Sequence, residues 1–360
     1  MRILVITDAW RPQVNGVVRT YERLSEEVAN LDAELEFLTP TEFHTVPCPT
    51  YPEIRLSLPG YRYLVARIQA IEPDAIHIAT EGPLGIMALI HCRRKRIPFT
   101  TSFHTRFPDY LSSRFSLPEA WTWAWQRRFH NAGAGVMVAT PSLAKELEGR
   151  GFNNILPWTR GVDTTLFRPR DVRIFGDGPI FINVGRIAIE KNIQAFLDAD
   201  LPGRKVVVGD GPAREELSQH YPDVIFTGKK VGEELAACYA SADVFVLPSK
   251  TETFGIVLLE AMASGLPIAA YPVTGPIDLV SPGETGILSE NIAEAAASAL
   301  KLDRATVRKR AEEYGWDSAA RLFLANIETA LFARQGRHLP QRHITQSHVR
   351  MARGRRTHQA

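Results

Sequence analysis

Short apolar segments that alternate with helical patterns occur twice along this chain, and this alternation restricts the fold more than any other feature. In the first half, the segments with the length and composition of buried strands are RILVITD, AELEFLTP, DAIHIAT, IPFTTSF and GVMVAT. In the second half they are IFINVGR, KVVVGDG, DVIFTG, DVFVLPS and LPIAAY. Because strands that alternate with helices form a parallel sheet with helices on both faces, the sequence predicts an α/β protein with two doubly wound, Rossmann-like domains.

A loop-rich stretch, RGVDTTLFRPRDVRIFGDGP, separates the two series. We expect an N-terminal domain at 1–166 and a second domain at 177–314, with a central cleft between them. An amphipathic pattern predicts a last helix at 315–333 that crosses back to the first domain.

The remaining tail, 334–360, contains seven Arg and no Asp, Glu or Lys, so it carries +7, while the rest of the chain has 35 basic and 40 acidic residues. Such a tail is expected to be disordered; it is either solvated with no specific partner or meets anionic lipid or nucleic acid through its charge, and no specific nucleic-acid partner is expected.

Cysteine usage and the N-terminus indicate a cytoplasmic protein. Cys48, Cys92 and Cys238 are far apart and have no metal or redox spacing, which favours a reducing compartment. The first apolar run ends at Asp8, too early for a signal peptide. We therefore expect that any membrane contact is peripheral and on the inner face.

The segment TETFGIVLLEAMASG, residues 251–265, places two carboxylates in and beside an almost wholly apolar helix. Glu252 comes just before the helix and Glu260 lies inside it. A lone carboxylate in a buried helix is costly unless something pairs with it, so either a ligand or a buried Arg must satisfy Glu260. The helix start also leaves backbone amides for an anion. These amides belong to Phe254, Gly255 and Ile256.

A second strand end, FINVGRIAIEKN, brings two cations toward the same cleft. Arg186 follows the strand directly, and Lys191 follows five residues later. A guanidinium binds diphosphate oxygens in bidentate fashion and an ammonium adds a point charge, although both side chains could simply be solvated.

In the first half, Gly16 lies between a strand and a helix, where the lack of a side chain lets a diphosphate or sugar approach; a plain turn residue is the alternative.

Taken together, these motifs resemble the retaining family 4 nucleotide-sugar glycosyltransferases, which have the GT-B architecture. The likeness rests on an E-x7-E spacing, a "GR…EK" element and the glycine turn VVGDGP, and it covers nearly all of residues 1–330. The matching positions are Glu252, Glu260, Arg186, Lys191 and Gly209.

The resemblance implies a role for each of these groups. Glu260 would accept hydrogen bonds from the ribose of a UDP- or GDP-linked sugar, and Glu252 with the adjacent amides would hold the sugar. Arg186 and Lys191 would neutralise the leaving diphosphate in place of a metal, so no metal and no cofactor are expected. Lys229, in TGKK, lies near the expected base site.

His104 ends the strand of FTTSF, and the resemblance places it against the transferred sugar. Many relatives follow this His with an acid or a glycine, whereas Thr105 follows it here. This departure is similar to the branch of bacterial and plastid glycolipid synthases and α-mannosyltransferases. We expect His104, Glu252, Arg186 and Lys191 to form the catalytic group of an enzyme that transfers a hexose to an acceptor hydroxyl, with retention implied by the family alone.

The segment SLPEAWTWAWQRRFH favours a membrane lipid such as diacylglycerol as the acceptor. Trp beside Arg suits the headgroup region of a bilayer. On a helix, Trp121 and Trp125 share one face and Trp123 points away, so one of the two sets could instead pack in the core.

Other functions stay open from the sequence. The acceptor could be a soluble glycan or metabolite, and a GT-B sugar-nucleotide epimerase or a non-catalytic nucleotide-binding module would share the architecture. A nicotinamide dehydrogenase is disfavoured because no G-x-G-x-x-G follows a strand. The DAD at 198–200 imitates a metal-binding carboxylate pair, but it ends a helix away from any strand end.

Overall fold

The computed structural model describes residues 1–13, 15–48, 51–106 and 118–333. The basic tail, 334–360, and residues 107–117, which follow shortly after His104, lie outside the described residues. The strands of the first half are β1 (Arg2–Ile6), β2 (Glu34–Leu38), β3 (Thr45–Cys48), β4 (Tyr51–Ser57), β5 (Ala75–Ile78), β6 (Phe99–Ser102), β7 (Gly135–Val138) and β8 (Ile155–Pro157). Six of them form a parallel sheet in the order β2-β1-β5-β6-β7-β8. The two others, β3 and β4, pair as an antiparallel hairpin that the sequence pattern did not indicate.

Within the described residues, five helices connect the strands of the first sheet. They are α1 (Gly16–Ala29), α2 (Tyr61–Ile71), α3 (Pro83–Lys95), α4 (Glu119–His130) and α5 (Pro141–Gly149). The side chain of Asn15 starts α1, because its Oδ1 accepts from the amides of Val17 and Val18 at 3.0 Å each. Proline in the first turn of α3 and α5 suits the helix start, where no amide partner is lost.

The second half repeats the arrangement. Its strands are β9 (Ile180–Val184), β10 (Arg204–Val208), β11 (Ile225–Gly228), β12 (Val244–Leu247), β13 (Ile268–Ala270) and β14 (Gly286–Leu288). They form a parallel sheet in the order β11-β10-β9-β12-β13-β14. Its helices are α6 (Gln194–Leu197), α7 (Arg214–His220), α8 (Gly232–Ala240), α9 (Ile256–Ala263), α10 (Pro276–Leu279), α11 (Ile292–Ala299) and α12 (Arg304–Ala311). The predicted α/β fold with two doubly wound parallel sheets is confirmed.

The last described helix, α13 (Trp316–Ala333), packs on the first sheet. Its Phe323 and Ile327 are buried with Ile3 and Val5 of β1 in one apolar cluster. The chain thus returns to its N-terminal half after completing the second sheet. Among the described helices, none combines the length and apolar content needed to cross a bilayer.

The strand order reverses once in each sheet, between β1 and β5 and between β9 and β12. At such a point the two flanking connections leave to opposite faces, which opens a crevice at the carboxyl ends of the strands. The loops after β1, β9 and β12 lead to Gly16, Arg186 and Glu252. The topology therefore places three of the sequence-predicted segments at switch points.

Candidate active site

Direct contacts join the predicted segments of the two halves. The hydroxyl of Thr253, in the loop before α9, donates to the backbone oxygen of His104 at 3.0 Å. A Cβ placed on Gly16 would lie 3.8 Å from Cδ1 of Ile256, so the start of α1 packs against the start of α9. The structure therefore brings Gly16, His104 and the loop at 252–256 together.

A further contact between the halves lies at the start of α5. The backbone amide of Ser142 donates to Oδ1 of Asp278 at 3.0 Å, and its hydroxyl bonds the other carboxylate oxygen. An anion at a helix N-terminus is stabilised by the free amides and by the helix dipole. Asp278, on α10 of the second half, thus caps a helix of the first half.

Glu260 is buried in α9 and both of its carboxylate oxygens are bonded. Arg19 of α1 donates from Nη1 to Oε1 at 3.1 Å, and the hydroxyl of Tyr239 donates to Oε2 at 2.9 Å. Burial raises the pKa of Glu260, while Arg19 and Tyr239 oppose that rise because they favour the ionised form. In this structure Glu260 is thus paired with an Arg, which is one of the two options that the sequence left open. Ribose binding stays a proposal.

Lys191 and Glu252 form an ion pair across the crevice at the carboxyl ends of β9 and β12. The ammonium lies 2.7 Å from Oε1 of Glu252, whose side chain is 11% exposed. The turn that carries Lys191 is tied to the end of β12, because the side-chain amide of Asn192 donates to the backbone oxygen of Pro248 at 3.0 Å. A cation and a carboxylate predicted to bind the same donor therefore face each other in the described structure.

The glycine turns after β9 and β10 are in contact. A Cβ on Gly209 would lie 1.8 Å from the oxygen of Gly185, which excludes any side chain at this position. Gly185 also donates its amide to Val208 at 3.0 Å. Arg186 directly follows Gly185 at this pair of turns. Lys229 lies just after the end of β11 and is exposed.

The ring of His104 is held by two polar partners. Arg160 directs Nη2 at Nδ1 of His104 over 3.2 Å, and the hydroxyl of Tyr21 lies 3.1 Å from Nε2. Burial, followed by the charge of Arg160, lowers the pKa of His104 well below its ordinary value. His104 is therefore neutral at physiological pH.

A buried polar cluster supports the segment after His104. Gln126 of α4 donates from Nε2 to Oε1 of Glu81 at 3.0 Å and to the backbone oxygen of Thr105 at 3.1 Å. Nε2 of His130 lies 2.9 Å from the same carboxylate oxygen. The cluster fixes the position from which the chain leaves toward 107–117, a stretch outside the described residues.

Sequence reasoning missed several of these groups. Arg19, Tyr21 and Arg160 have no motif of their own, since each looks like an ordinary polar residue of a helix or loop. Glu81 precedes Gly-Pro as many loop residues do. One signal could have indicated a buried cation. Arg160 directly follows Trp158 and Thr159, in a stretch that is otherwise interpreted as a loop.

Among the residues that the structure describes, no group of three or more His, Cys, Asp or Glu is placed to hold a metal. The cations near the two crevices include Arg19, Arg160, Arg186 and Lys191. The arrangement offers buried hydrogen-bond acceptors, helix-start amides and cations, which suits a polyhydroxylated anion.

Two family descriptions match the two halves of the chain. Residues 14–166 match "Glycosyltransferase Family 4", and residues 178–303 match "Glycosyl transferases group 1". A GDP-mannose-dependent alpha-mannosyltransferase from Mycobacterium tuberculosis is 33% identical over 80% of this chain and 83% of that protein. The chain belongs to the family 4 glycosyltransferases.

Other members of the glycosyltransferases agree in sequence and fold. An alpha-monoglucosyldiacylglycerol synthase from Streptococcus pneumoniae is 26% identical over 75% of this glycosyltransferase and 71% of its own chain. The solved structure of sucrose-phosphate synthase from Thermosynechococcus elongatus superposes with a TM-score of 0.72 at 22% identity, covering 92% of this chain and 99% of that one. The GT-B architecture is thereby confirmed.

Proposed function

We propose that this glycosyltransferase moves a hexose from a UDP- or GDP-linked donor to the hydroxyl of a membrane lipid such as diacylglycerol, with retention at the anomeric carbon. The observation that carries the proposal is the bond from Thr253 to the backbone oxygen of His104. It joins the predicted sugar loop of one half to the predicted sugar-facing strand end of the other. A donor held by the second half would therefore meet an acceptor held by the first.

The donor would lie along the carboxyl ends of β9 and β12. Glu260 would accept the ribose hydroxyls, and the amides at the start of α9 with Glu252 would hold the sugar. Arg186 and Lys191 would stabilise the negative charge that develops on the leaving diphosphate, without a metal. Because Arg19 bonds Oε1 of Glu260, the ribose must share or displace that contact.

The acceptor side is supported by exposed aromatic residues on α4. Trp121 and Trp125 are 74% and 40% exposed, while Trp123, on the opposite face, is 6% exposed and packs in the core. Arg127 and Arg128 are exposed on the same helix. Indole rings beside cations suit the headgroup region of an anionic bilayer, and one relative is named an alpha-monoglucosyldiacylglycerol synthase. We infer a cytoplasmic enzyme that binds the inner membrane face peripherally.

The test is nucleotide release from UDP-glucose, UDP-galactose, UDP-glucuronate and GDP-mannose, with and without diacylglycerol vesicles. GDP-mannose is tested first because a relative that is 33% identical is named for it. Wild type is compared with Glu252→Ala and with Glu284→Ala, an exposed Glu in the second half. We expect lipid-dependent release from one donor that Glu252→Ala loses and Glu284→Ala keeps. The anomeric configuration of the product, read by NMR, tests retention.

Each outcome has one meaning. Release that ignores lipid would refute the lipid acceptor and favour a soluble glycan or metabolite. Consumption of donor without a linked product would favour an epimerase. Binding of donor without turnover under any condition would refute the enzyme in favour of a binding module.

Membrane binding is tested separately by co-sedimentation with anionic vesicles. Replacing both Trp121 and Trp125 with Ala should weaken sedimentation, and so should deletion of the basic tail. Ile174→Ala removes an apolar side chain that is 56% exposed at another site and serves as the control. Equal sedimentation of all variants would refute this membrane surface.

A further inference from the structure

A chain of hydrogen bonds runs from Arg160 to Thr100 of β6, partly buried at His104 and buried at His77. Nη2 of Arg160 lies 3.2 Å from Nδ1 of His104, and Nε2 of His104 lies 3.1 Å from the hydroxyl of Tyr21. That hydroxyl lies 2.8 Å from Nε2 of His77, and Nδ1 of His77 lies 2.7 Å from the hydroxyl of Thr100. Each of these groups except the ends has both a donor and an acceptor partner.

The direction of every bond in this chain is set from one end. A guanidinium can donate but cannot accept, so Nδ1 of His104 must be the acceptor. The proton of the neutral ring is then on Nε2, which donates to Tyr21. The hydroxyl of Tyr21 in turn donates to Nε2 of His77 over 2.8 Å, in preference to the longer 3.4 Å contact with Ser102. The hydroxyl of Ser102 lies 3.0 Å from the same Nε2 and can donate to it as well. His77 therefore carries its proton on Nδ1.

We propose that Arg160 is a positioning residue that fixes His104 as a neutral Nε2–H imidazole and His77 as the opposite, Nδ1–H tautomer. With both ring nitrogens of His104 engaged inside the protein, the ring acts as a fixed wall of the site and transfers no proton. This assigns to Arg160, in the segment between the two sheets, a part in the site that no sequence motif carries.

Packing holds Arg160 where this role requires it. The guanidinium is buried over the ring of Trp158 at 3.9 Å, and its Nη1 donates to the backbone oxygen of Trp158 at 2.6 Å. Burial lowers the pKa of Arg160 to about 10, so it stays charged at physiological pH. The rings of Tyr21 and Trp158 approach His104 edge-on at 83° and 68°, which fixes the plane of the imidazole.

The titratable groups around His104 all oppose its protonation. Arg160 faces it from the segment after β8, His77 from β5 and His130 from α4, and burial adds the largest effect on its pKa. Tyr21 faces it from α1, and burial raises the pKa of that phenol, so Tyr21 stays neutral. Burial and Arg160 likewise lower the pKa of His77 to about 3.

The decisive experiment is long-range ¹H–¹⁵N NMR on the full chain with ¹⁵N-labelled His, which distinguishes the two neutral tautomers and the charged form. His104→Gln and His77→Gln assign the two spin systems. We expect His104 as Nε2–H and His77 as Nδ1–H, both unchanged from pH 8 to pH 5.5. A protonated His104, or His104 as the Nδ1–H tautomer, in the wild-type protein would overturn the proposal without any variant at Arg160.

Two variants then separate the hydrogen bond from the charge. Arg160→Met removes both and should raise the pKa of His104 and mix its tautomers. Arg160→Lys keeps a charge near the same backbone oxygens but loses the planar fork, so His104 should stay uncharged while its tautomers mix. Arg150→Met is the matched control, because Arg150 also lies 3.9 Å over a Trp ring, that of Trp123, outside the chain of bonds. Unchanged tautomers in both Arg160 variants would refute the assignment.

An activity measurement rests in addition on the proposed transferase function. A misplaced His104 should lower kcat by about tenfold to a hundredfold in Arg160→Met, with an unchanged dissociation constant for the free nucleotide. The kcat of Arg160→Met should also become pH-dependent in the range where His104 now titrates. An NMR result as expected with no turnover in wild type would refute the proposed function and leave the role of Arg160 intact.

Discussion

The Arg19→Met substitution removes the cation that reaches the buried Glu260 from the opposite half of the molecule. The side chain of Glu260 is 5% exposed and that of Arg19 is 34% exposed, at a separation of 3.1 Å. Removing one partner of a buried ion pair costs about 3–5 kcal/mol, because the other charge is left buried. Here the cost is smaller, since Arg19 is partly solvated and Tyr239 still donates to Oε2. We expect a loss of about 2 kcal/mol.

The loss should depend on pH in a defined direction. Burial raises the pKa of Glu260 above its ordinary 4.5, and Arg19 counteracts this rise. Without Arg19 the folded protein binds a proton at Glu260 at a higher pH than the unfolded chain does. As the pH falls toward the pKa that Glu260 has in the unfolded chain, protonation of Glu260 stabilises the folded state. The loss of stability should therefore be larger at pH 8 than at pH 5.5.

The assay is thermal unfolding at the two pH values. For a domain of 150–250 residues about 2 kcal/mol corresponds to a shift of roughly 4–8 °C in Tm. Arg321→Met is the control, because its ion pair with Asp317 is 64% and 61% exposed and should contribute little. In a double-mutant cycle, Arg19→Met should cost almost nothing once Glu260→Gln is present. An equal loss at both pH values, or in both backgrounds, would refute this account of the pair.

Three further predictions concern packing, protonation and metal. Gly209→Ala should cost more than about 2 kcal/mol in thermal unfolding, since its Cβ would lie 1.8 Å from the oxygen of Gly185, whereas Gly149→Ala meets nothing within 4 Å; equal losses would contradict the clash. Because the pKa of His77 is lowered to about 3, the unfolded chain takes up a proton first, and stability should fall by roughly 1 kcal/mol per pH unit below about 6.5. This dependence should be shallower in His77→Gln and unchanged in His220→Gln, which alters an exposed His. Finally, nucleotide release should survive EDTA, and its loss with recovery on adding a divalent cation would refute a metal-free mechanism.

The two parallel sheets could be predicted because the signal for each strand is contained in its own few residues. β9 and β12 are buried throughout and apolar except for Asn183, since a strand of a covered parallel sheet is buried on both faces. The hairpin of β3 and β4 was missed because TVPC and YPEIRLS each contain a proline and neither is uniformly apolar.

The sequence also identified Glu260 as a residue that needs a partner, because its apolar neighbours in α9 make an unpaired carboxylate costly. It could not name that partner. Arg19 is 241 positions away in the sequence. It lies on α1, whose apolar pattern indicates only that this helix packs on the first sheet. The choice between a ribose and an Arg thus depends on how closely the two halves approach.

What the sequence alone determined is which segments form sheets and helices and which polar residues end up at the strand ends, because burial of an apolar face is a property of each element. What only the tertiary structure decided is the pairing between elements. Thr253 meets the backbone of His104 from 149 positions away, and Arg160 reaches the ring of His104 from 56 positions away. Hydrogen bonds of about 3 Å require the two groups to be placed to within a fraction of an ångström, and that placement is set by the packing of both sheets together.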